Sequence, residues 1–190
     1  MIEITQEQID RVHSALSNIA GAPEKVFYRV INRTLATIRT HSGRNIRQSY
    51  RIKQRDITDN QNMTLKQAGV RNLVGEIKFA GSVIPLIKFN VTPTVPQRKM
   101  VSAAVYKNSG KEELVHAFVA NLGKYGVGVF QRQTEERDSS KQLYGPATGH
   151  MMQNEDVLNK VDATANETID KRIDHEIKAI LSGYGVKEKS

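Results

Sequence analysis

Between Glu24 and Arg55 the apolar and polar positions alternate with the period of a helix. Val26, Phe27, Val30, Ile31, Thr34, Leu35, Ile38 and Ser42 recur at three- and four-residue steps, which puts them on one face at about 3.6 residues per turn. Lys25, Arg29, Arg33, Arg44, Arg47, Arg51 and Arg55 gather on roughly the opposite side of the wheel. The spacing predicts one long two-faced helix, apolar beneath and cationic above. Gly43 weakens it by about 1 kcal/mol relative to alanine and is expected to kink it or end it early.

The flanking patterns differ in period. Thr5 with Gln8 three residues on has the form of a capping box, and Ile9, Val12, Leu16 and Ile19 supply the stripe of a short first helix. Pro23 fits the first turn of the next. From Leu73 the chain reads as strands: Leu73 to Phe79, Ser82 to Val91 with a hairpin turn at Gly81-Ser82, Met100 to Tyr106, Leu114 to Leu122 and Gly128 to Gln131. Pro85 assigns its strand to an edge or a bulge. Asn108-Ser109-Gly110-Lys111 is a strong turn signal, and Glu135 to Lys141 a charged loop. A last helix is predicted from about Glu155 to Leu181, with Val157, Val161, Ala165, Ile169, Ile173, Ile177 and Leu181 at every fourth position. Such a stripe drifts about 40° per step and suits crossed helix packing. The order helices, strands, helix gives an α+β fold: a long basic helix packed on an antiparallel sheet of about five strands, with additional N- and C-terminal helices. We divide it into an N-terminal helix (1–22), an α+β core (23–152) and a C-terminal helix with a short tail (153–190), one domain overall.

Charge sharpens this picture. The chain holds 28 Lys and Arg against 20 Asp and Glu, and the window Glu24–Arg55 holds nine of the cations and a single acid, so the rest balances at 19 against 19. The whole net charge of +8 sits on the predicted helix, a surface suited to polyphosphate or to an acidic partner as well as to plain solvation. No apolar run approaches the roughly 20 residues of a bilayer span, and the start MIEITQEQID lacks the features of a signal peptide. The absence of cysteine excludes disulfides and thiolate chemistry.

Catalytic patterns fail on inspection. His175-Glu176 opens like a zinc-protease motif, but Ala179 stands where the second histidine belongs. Ser109-Gly110-Lys111 resembles the end of a phosphate loop, but Val105 replaces its first glycine. Gly123, Gly126 and Gly128 lie between strands, with no helix N-terminus to receive a pyrophosphate. The five histidines, 13, 41, 116, 150 and 175, show no paired spacing for a metal, and His116 reads as a core histidine in an apolar strand. No cofactor, metal or small-molecule substrate is expected. With no tryptophan and few aromatics, any contact with nucleic acid should be to the backbone.

Four blocks in order carry a resemblance: VINRTLATIRTHSGRNIRQSYRIKQRDI (Val30–Ile57), IPLIKF (Ile84–Phe89), HAFVANLGKYGVGVFQR (His116–Arg132) and QLYGPATGHMM (Gln142–Met152). Together they resemble the prophage minor tail protein Z family, tail completion proteins of long-tailed bacteriophages. The resemblance implies a non-enzymatic structural component of the virion that completes the head-proximal end of the tail and supports head–tail joining and genome passage. It also implies a homo-oligomeric ring, taken as a hexamer, set beside tail and neck proteins such as the tail terminator or tail tube, with no membrane partner and with genomic DNA passing by. In that light Lys25, Arg29, Arg33, Arg44, Arg47, Arg51 and Arg55 are candidates for facing DNA or an acidic neighbour. Leu143, Tyr144, Gly145, Pro146, Met151 and Met152 are candidates for a subunit or partner interface, with Tyr144 as a rigid anchor and the methionines as adaptable apolar surface. The alternative is a basic DNA-binding module that contacts phosphates without sequence specificity.

Overall fold

The computed structural model describes residues 3–57, 63–123, 126–134 and 139–183. In chain order they form α1 (Gln6–Leu16), α2 (Ala22–Ser49), α3 (Gln54–Ile57), β1 (Met63–Lys66), β2 (Glu76–Phe79), β3 (Ile84–Pro85), a 3-10 turn (Leu86–Lys88), β4 (Asn90–Thr92), β5 (Val101–Ala104), β6 (Glu112–Leu114), β7 (Ala117–Asn121), β8 (Val127–Arg132), β9 (Ser140–Gln142), β10 (Tyr144–Gly145), α4 (Thr148–Met152) and α5 (Glu155–Leu181). The fold is α+β, as expected. In place of one sheet of about five strands, the described residues carry four small sheets: β1-β2, β10-β3, β4-β5-β6 and β7-β8-β9. The chain divides into two compact units. Unit 1 comprises Met1–Ser42, Leu65–Lys78 and Leu158–Ser190; unit 2 comprises Gly43–Thr64 and Phe79–Val157.

Unit 1 is helical at its centre. The capping box at Thr5 forms: the Gln8 N–H donates to Thr5 Oγ1 and the Thr5 N–H to Gln8 Oε1, at 3.3 and 2.9 Å. Val12 and Leu16 of α1, Val26, Phe27 and Val30 of α2, and Ile169, Ile173 and Ile180 of α5 bury one apolar cluster. Each such side chain contributes roughly 1.5–3 kcal/mol by leaving water. Along α5 the stripe holds through Ile173. Leu181 is 61% exposed, however, and Ile180 takes the buried position before the chain turns at Gly183. The segment between β1 and β2 is held on α2 by close packing of Gly75 against Ile31 and Leu35 and by the Asn32 side chain. Asn32 Nδ2 donates to the Ala68 carbonyl at 2.9 Å, and Asn32 Oδ1 accepts the Ala68 N–H at 2.8 Å.

Unit 2 departs more from the sequence reading. Helix α2 runs through Gly43 unbroken. A Cβ there would lie 2.1 Å from the Gln54 amide nitrogen, so this glycine leaves room for the Gln54 carboxamide against the helix and does not end it. The helix ends at Ser49, short of Arg55, because the backbone changes partners. The Arg51 N–H donates to the Val105 carbonyl and the Lys107 N–H to the Ser49 carbonyl, at 2.8 and 2.9 Å, bridging Tyr50 to Tyr106. The two tyrosine rings lie 5.0 Å apart. Burial, and then the neighbouring Tyr106, push the Tyr50 hydroxyl up to about 12.

The hairpin expected at Gly81-Ser82 is not formed. β2 pairs with β1, while β3 pairs antiparallel with β10, Tyr144 opposite Pro85 and Gly145 opposite Ile84. His116 is also not in a strand. It sits exposed in the turn between β6 and β7 with φ 59°.

Candidate functional site

The seven cations placed on one face by the sequence fall into two units and two conditions. In unit 1, Arg29 is neutralised: its Nη1 lies 3.2 Å from Glu176 Oε2, and both side chains are largely shielded. A hydrogen bond with Tyr28 raises the Arg29 guanidinium above its ordinary value, burial opposes this, and Glu176 adds to the rise. Lys25 and Arg33 make no ion pair among the described residues. In unit 2, Arg44 and Arg47 project into solvent, likewise with no ion pair among the described residues. Arg51 is a structural residue. Its Nε donates to the Tyr106 carbonyl and its Nη2 to the Lys107 carbonyl, at 3.1 and 2.9 Å. Arg55 lies 4.0 Å from Asp56, an acid that Lys88 approaches to 3.4 Å. Arg29 and Arg51 are thus engaged within the protein, Arg55 stays largely exposed at the outer limit of an ion pair, and Lys25, Arg33, Arg44 and Arg47 make no ion pair among the described residues.

The structure adds cations that the sequence reading passed over. Arg33 and Arg172 line two adjoining grooves of unit 1, the first with Tyr28, Arg29, Asn32, Ala36 and Glu176, the second with Thr37, Thr168, Lys171 and His175. Lys171 is paired with Glu167, which lowers the carboxyl below its ordinary value. Both side chains are well exposed, so the pair adds little stability. Arg33 and Arg172 are then the uncompensated charges of this surface. The signal for Arg172 was present in sequence, since Ile169 and Ile173 fix its position on the flank of α5. It was hidden because the acids of the same helix balance it in any count of charge.

The second predicted set lies mostly against its own unit. Leu143 is tied on both sides: its N–H donates to the Val129 carbonyl at 2.8 Å, and its carbonyl accepts the Leu86 N–H at 3.0 Å. Gly145 faces the Phe89 ring, where a Cβ would lie at 2.4 Å, and Pro146 is half-buried. Met151 is fully buried and Met152 nearly so. The adaptable surface assigned to these methionines is therefore core, because α4 turns both inward. Tyr144 alone remains substantially exposed, its hydroxyl donating to Gln142 Oε1 at 2.9 Å.

Among the described residues no cluster of three or more His, Asp or Glu could hold a metal ion, and no helix is long and apolar enough to cross a membrane. Fold and surface together define a mixed α+β protein that exposes Arg33, Arg44 and Arg47 on one helix with no ion pair among the described residues. The family model described as prophage minor tail protein Z (GPZ) matches residues 11–185. The chain belongs to that family and is a structural protein of a phage tail, hence a virion component. No curated protein and no solved structure matches it.

Proposed function

We propose that this tail protein is a non-enzymatic component of the head-proximal end, where it completes the tail, assembles as a ring beside neck and tail proteins, and supports head–tail joining and genome passage. The observation that carries this reading is a set of cations without acidic partners among the described residues, Arg33, Arg44 and Arg47 exposed and Arg172 half-buried, on a member of a tail family. A passing duplex or an acidic neighbour would meet them without displacing an internal carboxylate. Gold labelling of a tagged copy in intact virions, viewed by electron microscopy, tests the position. Label is expected at the junction of head and tail, and label at the distal tip or along the tube overturns the reading.

The same grooves support a second reading, a phosphate-contacting DNA module, because Arg33 and Arg172 line both. Under that reading the isolated chain binds duplex DNA, with log K falling by about 0.9 per phosphate contact for each unit of log salt. Ring formation with negligible DNA binding by the free chain favours the first.

A further inference from the structure

Unit 2 carries a groove that none of the foregoing uses. It lies between the segment 96–100 and the corner where β6 passes into β7, with Arg132 of β8 beside it, and is a shallow, open depression of about 860 Å³. The corner is held from β8: the Gln131 side-chain amide donates to the Val115 carbonyl at 2.9 Å and the Arg132 N–H to the His116 carbonyl at 3.3 Å. With His116 at positive φ, the turn leaves Val115 65% exposed. Met100, on the same lining, is also 65% exposed. Phe118 lines the groove half-buried, with the Arg132 guanidinium 5.9 Å from its ring centroid, within the range of a cation–π contact. Single exposed apolar residues are ordinary on a protein surface, whereas several gathered in one concavity mark a binding surface.

The polar part of the lining is of one sign. Arg98, Lys99 and Arg132 are exposed, and among the described residues they make no ion pair and share the groove with no carboxylate. The wall also includes a strand edge. Among the described residues β7 pairs with β8 on one side and is the outer strand of its sheet, and an outer strand has backbone donors and acceptors of the kind that capture an added strand.

We infer that this groove docks an extended polypeptide segment of a partner protein carrying carboxylates beside aliphatic side chains. A phosphodiester backbone would answer the cations but leave Met100 and Val115 uncovered. A purely apolar segment would cover those two and leave three cations without partners. Only a segment with both groups satisfies the whole lining. The inference does not depend on where along the tail the protein sits.

The test uses the full chain, a dye-labelled blocked octapeptide of alternating Glu and Leu, a Glu-Ser octapeptide of equal charge, and a short DNA duplex as competitor, read by fluorescence anisotropy. The Glu-Leu peptide is expected to bind at least tenfold more tightly than Glu-Ser. Its affinity is expected to fall at least tenfold with Val115→Asp and with Arg98→Glu/Lys99→Glu, while thermal unfolding of both variants stays that of the parent. Equal binding of the two peptides, or indifference to Val115→Asp, overturns the inference. So does full displacement by the duplex, which would make the groove a phosphate site. Self-association of the parent chain that Val115→Asp abolishes would make a second copy the occupant, and overturns it too.

Discussion

Unit 1 and unit 2 divide α2 between them and use their parts of it differently. In unit 1 the helix meets other helices through Val26, Phe27 and Val30, and two of the unit's arginines find acids: Arg29 meets Glu176, and Arg11 lies near Asp170 and Asp174. In unit 2 the last turns of the helix bury Asn45 and Ile46, and the segment after it bonds to the backbone at the end of β5. There Arg44 and Arg47 meet no acid among the described residues. Helix-on-helix packing tolerates local adjustment, because a side chain can be accommodated by its neighbours one turn away. Short strands in two- and three-stranded sheets depend on individual close contacts, such as Gly145 on Phe89. Within α2 itself the charge is partly matched in unit 1, where Arg29 meets Glu176 while Arg33 has no ion pair among the described residues, and unmatched at Arg44 and Arg47 in unit 2.

That contrast can be broken most forcefully in the helical core. Ile173 is fully buried, and Ile173→Ala is expected to cost about 3 kcal/mol through lost burial and a residual cavity. Chemical denaturation followed by circular dichroism measures it; a loss below 1 kcal/mol would mean that the α1, α2 and α5 cluster is not what holds unit 1. Gly145→Ala comes next. Its Cβ would stand 2.4 Å from a carbon of the nearly buried Phe89 ring, an overpacking worth about 2 kcal/mol. Near-ultraviolet circular dichroism should report the shifted ring, and an unchanged spectrum with unchanged stability would refute the close contact. The smallest effect compares two arginines. Arg51→Met removes two hydrogen bonds to carbonyls and should cost about 1 kcal/mol, whereas Arg47→Met should remain within about 0.5 kcal/mol of the parent. Equal effects on stability would erase the distinction between structural and outward-facing cations.

What the sequence disclosed follows from how local each feature is. The bounds of α5 were legible because its apolar residues repeat every fourth position, with Glu155 and Asp156 at the start and a glycine past the end. The capping box of α1 was legible because both its partners lie within four residues. The sheets were not. The pairing of β3 with β10 joins residues that no periodicity links, and the partner of β2 precedes it instead of following. The cationic surface was half legible. Composition located the charge on Glu24–Arg55, but the partner that neutralises Arg29 comes from α5, and the carbonyls that occupy Arg51 lie beyond β5. Burial of Met151 and Met152 was hidden for the same reason, since a five-residue helix carries too few positions to declare its inward face.

The clasp of Asn32 on Ala68 has its own consequence. One carboxamide reads both backbone groups of a single residue, the N–H with its oxygen and the carbonyl with its nitrogen. Sliding the connecting segment by one position would break both bonds at once, and exchanging the amide for a carboxylate would set two acceptors against each other. One atom pair on a helix thus acts as the tooth of a ratchet, choosing a unique seating that the close approach of Gly75 to Ile31 and Leu35 reinforces further along the same segment.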